Sequence, residues 1–199
     1  GRLLWSKSFG SGLFGSASTF RLASSVVALP SGGAIVAGQV ATESWIARVS
    51  DEGKLLWEQR FGVGQAIAVA SINGVVLVAT MEVARTDRYR EDLIMRVYSE
   101  DGVLKTRSTV REGLNFSASA HYGEIDFAHR GLDIYLLSGF EEFLDPVAFE
   151  LAKVTAPGRV EWRRQLPTTV GRDDKGRRRL CAAGVAVLAD GSALVACPS

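Results

Sequence analysis

The stretch Gly1-Arg-Leu-Leu-Trp-Ser-Lys-Ser-Phe-Gly10 returns as Gly53-Lys-Leu-Leu-Trp-Glu-Gln-Arg-Phe-Gly62. A third copy, Gly102-Val-Leu-Lys-Thr106, keeps the glycine and the apolar residues but puts Thr106 in the tryptophan slot. A fourth, Gly158-Arg-Val-Glu-Trp162, restores the tryptophan. Two more motifs recur between these copies. Ala34-Ile-Val-Ala-Gly38 is matched by Val76-Leu-Val-Ala-Thr80, Tyr135-Leu-Leu-Ser-Gly139 and Ala193-Leu-Val-Ala-Cys197. Trp45-Ile-Ala-Arg-Val49 is matched by Leu93-Ile-Met-Arg-Val97 and Glu150-Leu-Ala-Lys-Val154, which aligns Arg48, Arg96 and Lys153 in one slot. Three motifs in a fixed order, at a period of roughly 50 residues, define an internal repeat.

Each motif is short, rich in Val, Ile, Leu and aromatic residues, and bounded by turn chemistry, so each reads as a strand. The turns are Pro30-Ser31-Gly32-Gly33, Asp51-Glu52-Gly53, Asn73-Gly74, Glu100-Asp101-Gly102, Pro157-Gly158 and Asp190-Gly191. Asn-Gly and Asp-Gly supply the positive φ that tight hairpins require. The first unit therefore carries strand a over 25–29, b over 34–38, c over 45–49 and d over 54–61. Nothing between the strands has helical period and length, which argues against a parallel βα fold. The apolar runs of strand b suit a position buried on both faces. The expected fold is all-β: a β-propeller of about four antiparallel four-stranded blades. It is read as a single propeller domain over residues 1–199 or as part of a larger propeller. Its units cover about 11–62, 63–110, 111–166, and 167–199 plus 1–10.

The phase of the repeat is uneven. A strand d opens the chain at Gly1, and an a-b pair over 180–197 closes it, so the last blade lacks its strand c. That blade is expected to be incomplete, or completed by the N-terminal strand or by a partner chain, because open strand edges invite pairing. The chain has neither an initiator Met nor a signal-like start, so Gly1 reads as a processed terminus or the edge of a fragment.

The pattern W-x-K-x-F-G, then V-V-x-L-P-x-G-G-x-I-V-A-G, then W-I-x-x-V and a D-x-G turn is read from Trp5–Gly10, Val26–Gly38 and Trp45–Gly53. It resembles the tandem β-propeller repeats of bacterial secreted and cell-surface proteins. The resemblance implies an extracytoplasmic bacterial protein, whether periplasmic, on the cell surface or secreted. It brings no catalytic residues to transfer, and the fold alone does not fix a function.

Composition agrees with a globular chain, at 47% hydrophobic and 23% charged residues. The formal net charge of +1 provides no field to gather nucleic acid or an anionic membrane. No apolar stretch reaches the about 18 residues of a spanning helix.

Each candidate site has a competing structural explanation. His121, Glu124, Asp126 and His129 could be drawn as a metal or acid–base site. Strand alternation, however, sends the acids and the histidines to opposite faces, so they read as solvated strand residues and no metal is expected. The acidic turns Asp51-Glu52 and Glu100-Asp101 read as hairpin chemistry before calcium chemistry. Glu141, Glu142 and Asp145 form a candidate rim loop between strands b and c. Arg172, Lys175, Arg177, Arg178 and Arg179 form the strongest charge concentration and a candidate partner-contact loop. It has no interleaved aromatics, which disfavours nucleic acid.

Trp5, Trp57 and Trp162 share one repeat slot. They are expected to pack blade on blade, the alternative being a carbohydrate platform in each blade. Cys181 and Cys197 flank the Asp190-Gly191 turn on consecutive strands. A disulfide there would stabilise the terminal hairpin by about 3 kcal/mol; two buried thiols are the alternative. No nucleophile elbow, phosphate loop or catalytic carboxylate pair is present, so neither a catalytic residue nor a cofactor is assigned. The expected function is a non-enzymatic protein-binding or assembly module of an exported bacterial protein, using a protein partner or self-association through open blade edges. Carbohydrate binding through the aromatic slots is the alternative.

Overall fold

The computed structural model describes residues 6, 21–84, 90–115, 125–130, 133–140, 148–155, 159–166 and 184–196. Among these residues are thirteen strands and no helix. A seven-stranded sheet runs in sequence order through β1 (Arg21–Ala28), β2 (Ala34–Val40), β3 (Glu43–Val49), β4 (Leu55–Ile72), β5 (Val75–Val83), β6 (Arg90–Ser99) and β7 (Leu104–Asn115). A four-stranded sheet follows, made of β8 (Ile125–Arg130), β9 (Asp133–Phe140), β10 (Ala148–Val154) and β11 (Val160–Leu166), and then the hairpin of β12 (Gly184–Val187) and β13 (Ala193–Ala196). All the strand pairs are antiparallel. The described chain is all-β.

The turns behave as their residues dictate. Gly32, Gly53, Gly102 and Gly191 hold φ of 94°, 75°, 89° and 85°. Each donates its N–H to the carbonyl three residues back, on Leu29, Ser50, Ser99 and Leu188 respectively. A Cβ is strained at such φ, which is why one glycine recurs at one place in four hairpins. Asn73 and Gly74, at φ of 49° and 77°, make the two-residue turn between β4 and β5.

The first unit's strand d and the second unit's strand a are one continuous strand, β4. Its first half pairs with β3 as far as Val63, and its second half pairs with β5 from Gly64 onward. The change of partner occurs at Gly62 and Gly64, with φ of 58° and 152°. A Cβ on Gly62 would lie 2.4 Å from the Glu82 carboxylate, and one on Gly64 would lie 1.9 Å from the Met81 carbonyl oxygen. Only glycine lets β4 turn this tightly against β5.

Beyond that bend the sheet curls over on itself. Leu29, Ile35, Ala37 and Ile46 pack against Ala66, Val69, Val76, Val78 and Tyr98. On the far side Leu77, Ala79, Met81, Leu93 and Met95 meet Ile134, Leu136, Ala152 and Val154 of the next sheet. That sheet in turn presents Tyr135, Leu137 and Leu151 to Val185 of the terminal hairpin. β5 is consequently buried on both faces, which explains its apolar run from Val75 to Ala79. The leading strands also meet in succession: β1 packs on β4, β4 on β8, and β8 on β12. Ser25 Oγ accepts the Val69 N–H at 3.2 Å across the first of these contacts.

One feature of the repeat changes in space. Arg48 stands opposite Ile35, on the face toward the second unit. Lys153 stands opposite Tyr135, on the face toward the terminal hairpin. Arg96 stands opposite Val78, whose side chain faces back to the first unit. Pairing across the sheet matches Ile46 with Met95, one position away from the sequence alignment: Ile46 lies opposite Ala37, and Met95 opposite Ala79. A one-residue slip reverses the face of every side chain in a strand. Thus the basic slot shared by Arg48, Arg96 and Lys153 in the sequence is not one spatial slot.

Candidate functional site

The tryptophan slot does keep its face. Trp57, Thr106 and Trp162 stand opposite Arg48, Val97 and Lys153, each turned toward the following layer. Trp57 packs against the core between the first and second units, and its indole N–H donates to the Glu100 carbonyl at 3.0 Å. Arg48 Nη1 donates to the same carbonyl at 3.0 Å, and Nη2 donates to Ser31 Oγ at 3.1 Å. Gln59 donates to the Gly102 carbonyl, and Ser31 Oγ to the Glu100 carboxylate. Trp57 can lie this close because the turn carries glycine: a Cβ on Gly102 would be 3.1 Å from the indole. The first unit thereby grips the acidic turn of the second.

Trp162 packs against the core shared with the terminal hairpin, edge-on to Tyr135 at 6.0 Å and 62°. The Arg164 guanidinium lies 5.6 Å from its ring centre. Thr106, in the same slot of the second unit, has a buried hydroxyl with no hydrogen-bond partner among the described residues. Trp5 lies outside the described residues, as do Cys181, Cys197, Glu141, Glu142, Asp145, His121, Glu124 and the run containing Arg172, Lys175, Arg177, Arg178 and Arg179. Asp126 and His129 belong to β8, but their side chains are not described. Among the described residues no three His, Cys, Asp or Glu side chains group as around a metal ion.

The chemistry collects elsewhere, around a half-open cleft of about 930 Å³ where β4 bends past the ends of β5, β6 and β7. Its lining includes Gly62, Glu82, Arg90, Asp92, Arg96, Arg107, Glu112 and Gly113. In the second unit this end lies opposite the Asn73-Gly74 turn and the turn holding Gly102.

Glu82 forms the floor of the cleft, 6% exposed, beside Arg96, 5% exposed. Both carboxylate oxygens of Glu82 accept from the Arg96 guanidinium, Nη2 to Oε2 at 3.0 Å. Thr80 Oγ1 donates to Glu82 Oε1 at 2.8 Å and accepts from Arg96 Nη1 at 2.8 Å. The Arg96 guanidinium also lies 4.4 Å from the centre of the Phe61 ring, supplied by the first unit. Pairing and hydrogen bonding of this completeness are what allow two charges to sit at such burial. Arg107 approaches the same carboxylate at 3.7 Å from the more open side. Asp92, directly opposite Glu82 on β6, accepts the Gly113 N–H at 2.9 Å, and Arg90 donates to the Gly113 carbonyl at 3.0 Å.

Two further charged groups border the neighbouring layer. Glu150 bridges Arg111 at 3.3 Å and Arg163 at 3.8 Å, tying β7 to the four-stranded sheet. Glu91 lies on the opposite face of β6 from Asp92, 6% exposed, and burial pushes its carboxyl up to about 7.

The sequence did carry a signal for the cleft floor. Thr80 and Glu82 are polar residues two apart in the otherwise apolar β5, so alternation puts both on one face. A buried polar pair demands partners, and Arg96 on the neighbouring strand β6 supplies one. No protein-family model matches the chain, and no curated protein is detectably similar to it.

Proposed function

We propose that the chain is a propeller-type repeat array serving as a non-enzymatic protein-binding module of an exported bacterial protein, with the cleft end of its sheets as the binding end. The observation that carries this reading is the succession of contacts between leading strands, β1 to β4 to β8 to β12. Layers that touch along their leading strands, whether halves of the curled seven-stranded sheet or the sheets after it, are arranged as blades fanning from a common line would be. Such a stack would serve as a scaffold, and recognition is commonly built on loops held by a rigid frame.

The cleft suits recognition over turnover. Glu82 and Arg96 hold each other, Thr80 bridges them, and Asp92 is engaged by the Gly113 N–H. Trp57 and Trp162 are taken up by packing between layers, so the lectin alternative gains no platform from them. Export rests on the motif resemblance.

The reading is tested by selecting binders to the full chain from a random-peptide display library and mapping the bound peptide by hydrogen exchange. Enriched peptides should protect the cleft-end termini of β5, β6 and β7. Failure to enrich any peptide, or protection confined to the tight-turn end, would overturn it.

A further inference from the structure

We propose that the cleft takes an acidic peptide segment, one carboxylate of which seats on Arg107. The proposal rests on the binding-module reading above and adds the chemistry of the ligand. Arg96 and Arg107 are directly opposite each other on β6 and β7. Like charges in that relation repel, and this pair has one described anion between them, Glu82. Both Glu82 oxygens already accept from Arg96, and Oε1 accepts from Thr80 as well. Arg107 therefore has only a 3.7 Å approach to a carboxylate whose lone pairs are largely occupied, and among the described residues it makes no hydrogen bond. A guanidinium carries five N–H donors in a planar fork that matches a carboxylate.

The buried Glu82–Arg96 pair fixes the floor under Arg107, while the Arg107 side chain is 41% exposed and faces the open cleft. Among the described residues no aromatic ring lines the cleft on which a sugar could stack, and Phe61 is covered by Arg96, which favours a peptide over an acidic sugar. Gly62 and Gly113 are among the lining residues, so at these two places the backbone itself borders the cleft.

The acidic side of the cleft sets a polarity for the ligand. Asp92 stands directly opposite Glu82 across β5 and β6, and Glu112 of β7 lines the cleft as well. A second acid reaching that side would meet two carboxylates. The preferred segment therefore carries one acidic residue at Arg107 and neutral or basic residues toward Asp92 and Glu112.

The test uses the full chain in the same display selection, followed by titration of the best selected peptide. Wild-type selection should enrich peptides with a single Asp or Glu. Arg107→Gln should weaken binding about tenfold, as loss of a charge-assisted contact does, and changing that acid to its amide should do the same. Arg107→Lys should retain part of the affinity. Because Arg107 is exposed, an unchanged urea midpoint for Arg107→Gln separates lost binding from lost folding. Enriched peptides that lack an acid and ignore Arg107→Gln would overturn this inference while leaving the binding-module reading intact. No enriched peptide at all would overturn both. Arg107-dependent binding of polygalacturonate without peptide binding would overturn the peptide assignment in favour of an acidic polysaccharide.

Discussion

Replacing Glu91 with glutamine should stabilise the protein at neutral and alkaline pH and have little effect in acid. Glu91 is 6% exposed between the second and third layers, and burial lifts its carboxyl from 4.5 to about 7. An acid held more tightly protonated in the folded state contributes its full stability below its unfolded value, near 4.5. It loses that stability as pH rises through about 7, since the folded protein must then either keep the proton or bury a charge. At about 1.36 kcal/mol for each pH unit between those two values, the loss amounts to ~3 kcal/mol above pH 7. Glutamine has nearly the shape of the protonated side chain and never ionises, so Glu91→Gln avoids that loss. Urea unfolding of both proteins at pH 4.5 and pH 8 measures it: near coincidence at the lower pH, and a gap of ~3 kcal/mol in favour of the variant at the higher. A gap of equal size at both pH values, or a variant less stable at pH 8, would refute the reasoning by showing that the Glu91 carboxylate is held charged by a partner.

Two other perturbations probe the contacts between layers. Trp57→Ala should destabilise by about 2–4 kcal/mol in urea unfolding, because it removes a large packed ring and one of the two donors to the Glu100 carbonyl; a loss under 1 kcal/mol would show that the grip on that turn is dispensable. Arg96→Met should cost about 3–5 kcal/mol by leaving the buried Glu82 with only the 3.7 Å approach of Arg107, whereas the double change Glu82→Met with Arg96→Met should recover most of that loss. Equal losses for the single and double variants would mean that the pair itself, and not the stranded charge, carries the energy.

What the sequence made legible was the local chemistry. The recurrent glycines placed the hairpin turns at Gly32, Gly53, Gly102 and Gly191, because positive φ there is a property of the residue. The apolar run of β5 announced burial on two faces, and Trp57 and Trp162 fell on one consistent face between layers. The relation of one unit to the next was harder to read. Motif matching gave Arg48, Arg96 and Lys153 a common slot, yet pairing with β5 is set by which residues must enter the core, and Met95 rather than Ile94 answers that demand. The slip turns Arg96 toward Phe61 and Glu82, and with it creates the cleft floor. A site built from such a change of face is invisible to any scan that aligns repeats residue by residue. The joining of two expected strands into β4 was similarly hidden, since the need for Gly62 and Gly64 arises from Glu82 and Met81 on another strand.

The central claim, that successive sheets are arranged as blades, is tested most directly by a crystal structure of the full chain. The account predicts that the layers are related by rotations of one sense about a common axis running beside β1, the second half of β4, β8 and β12. Layers stacked without a shared axis, or with those four leading strands on different sides of the molecule, would contradict it.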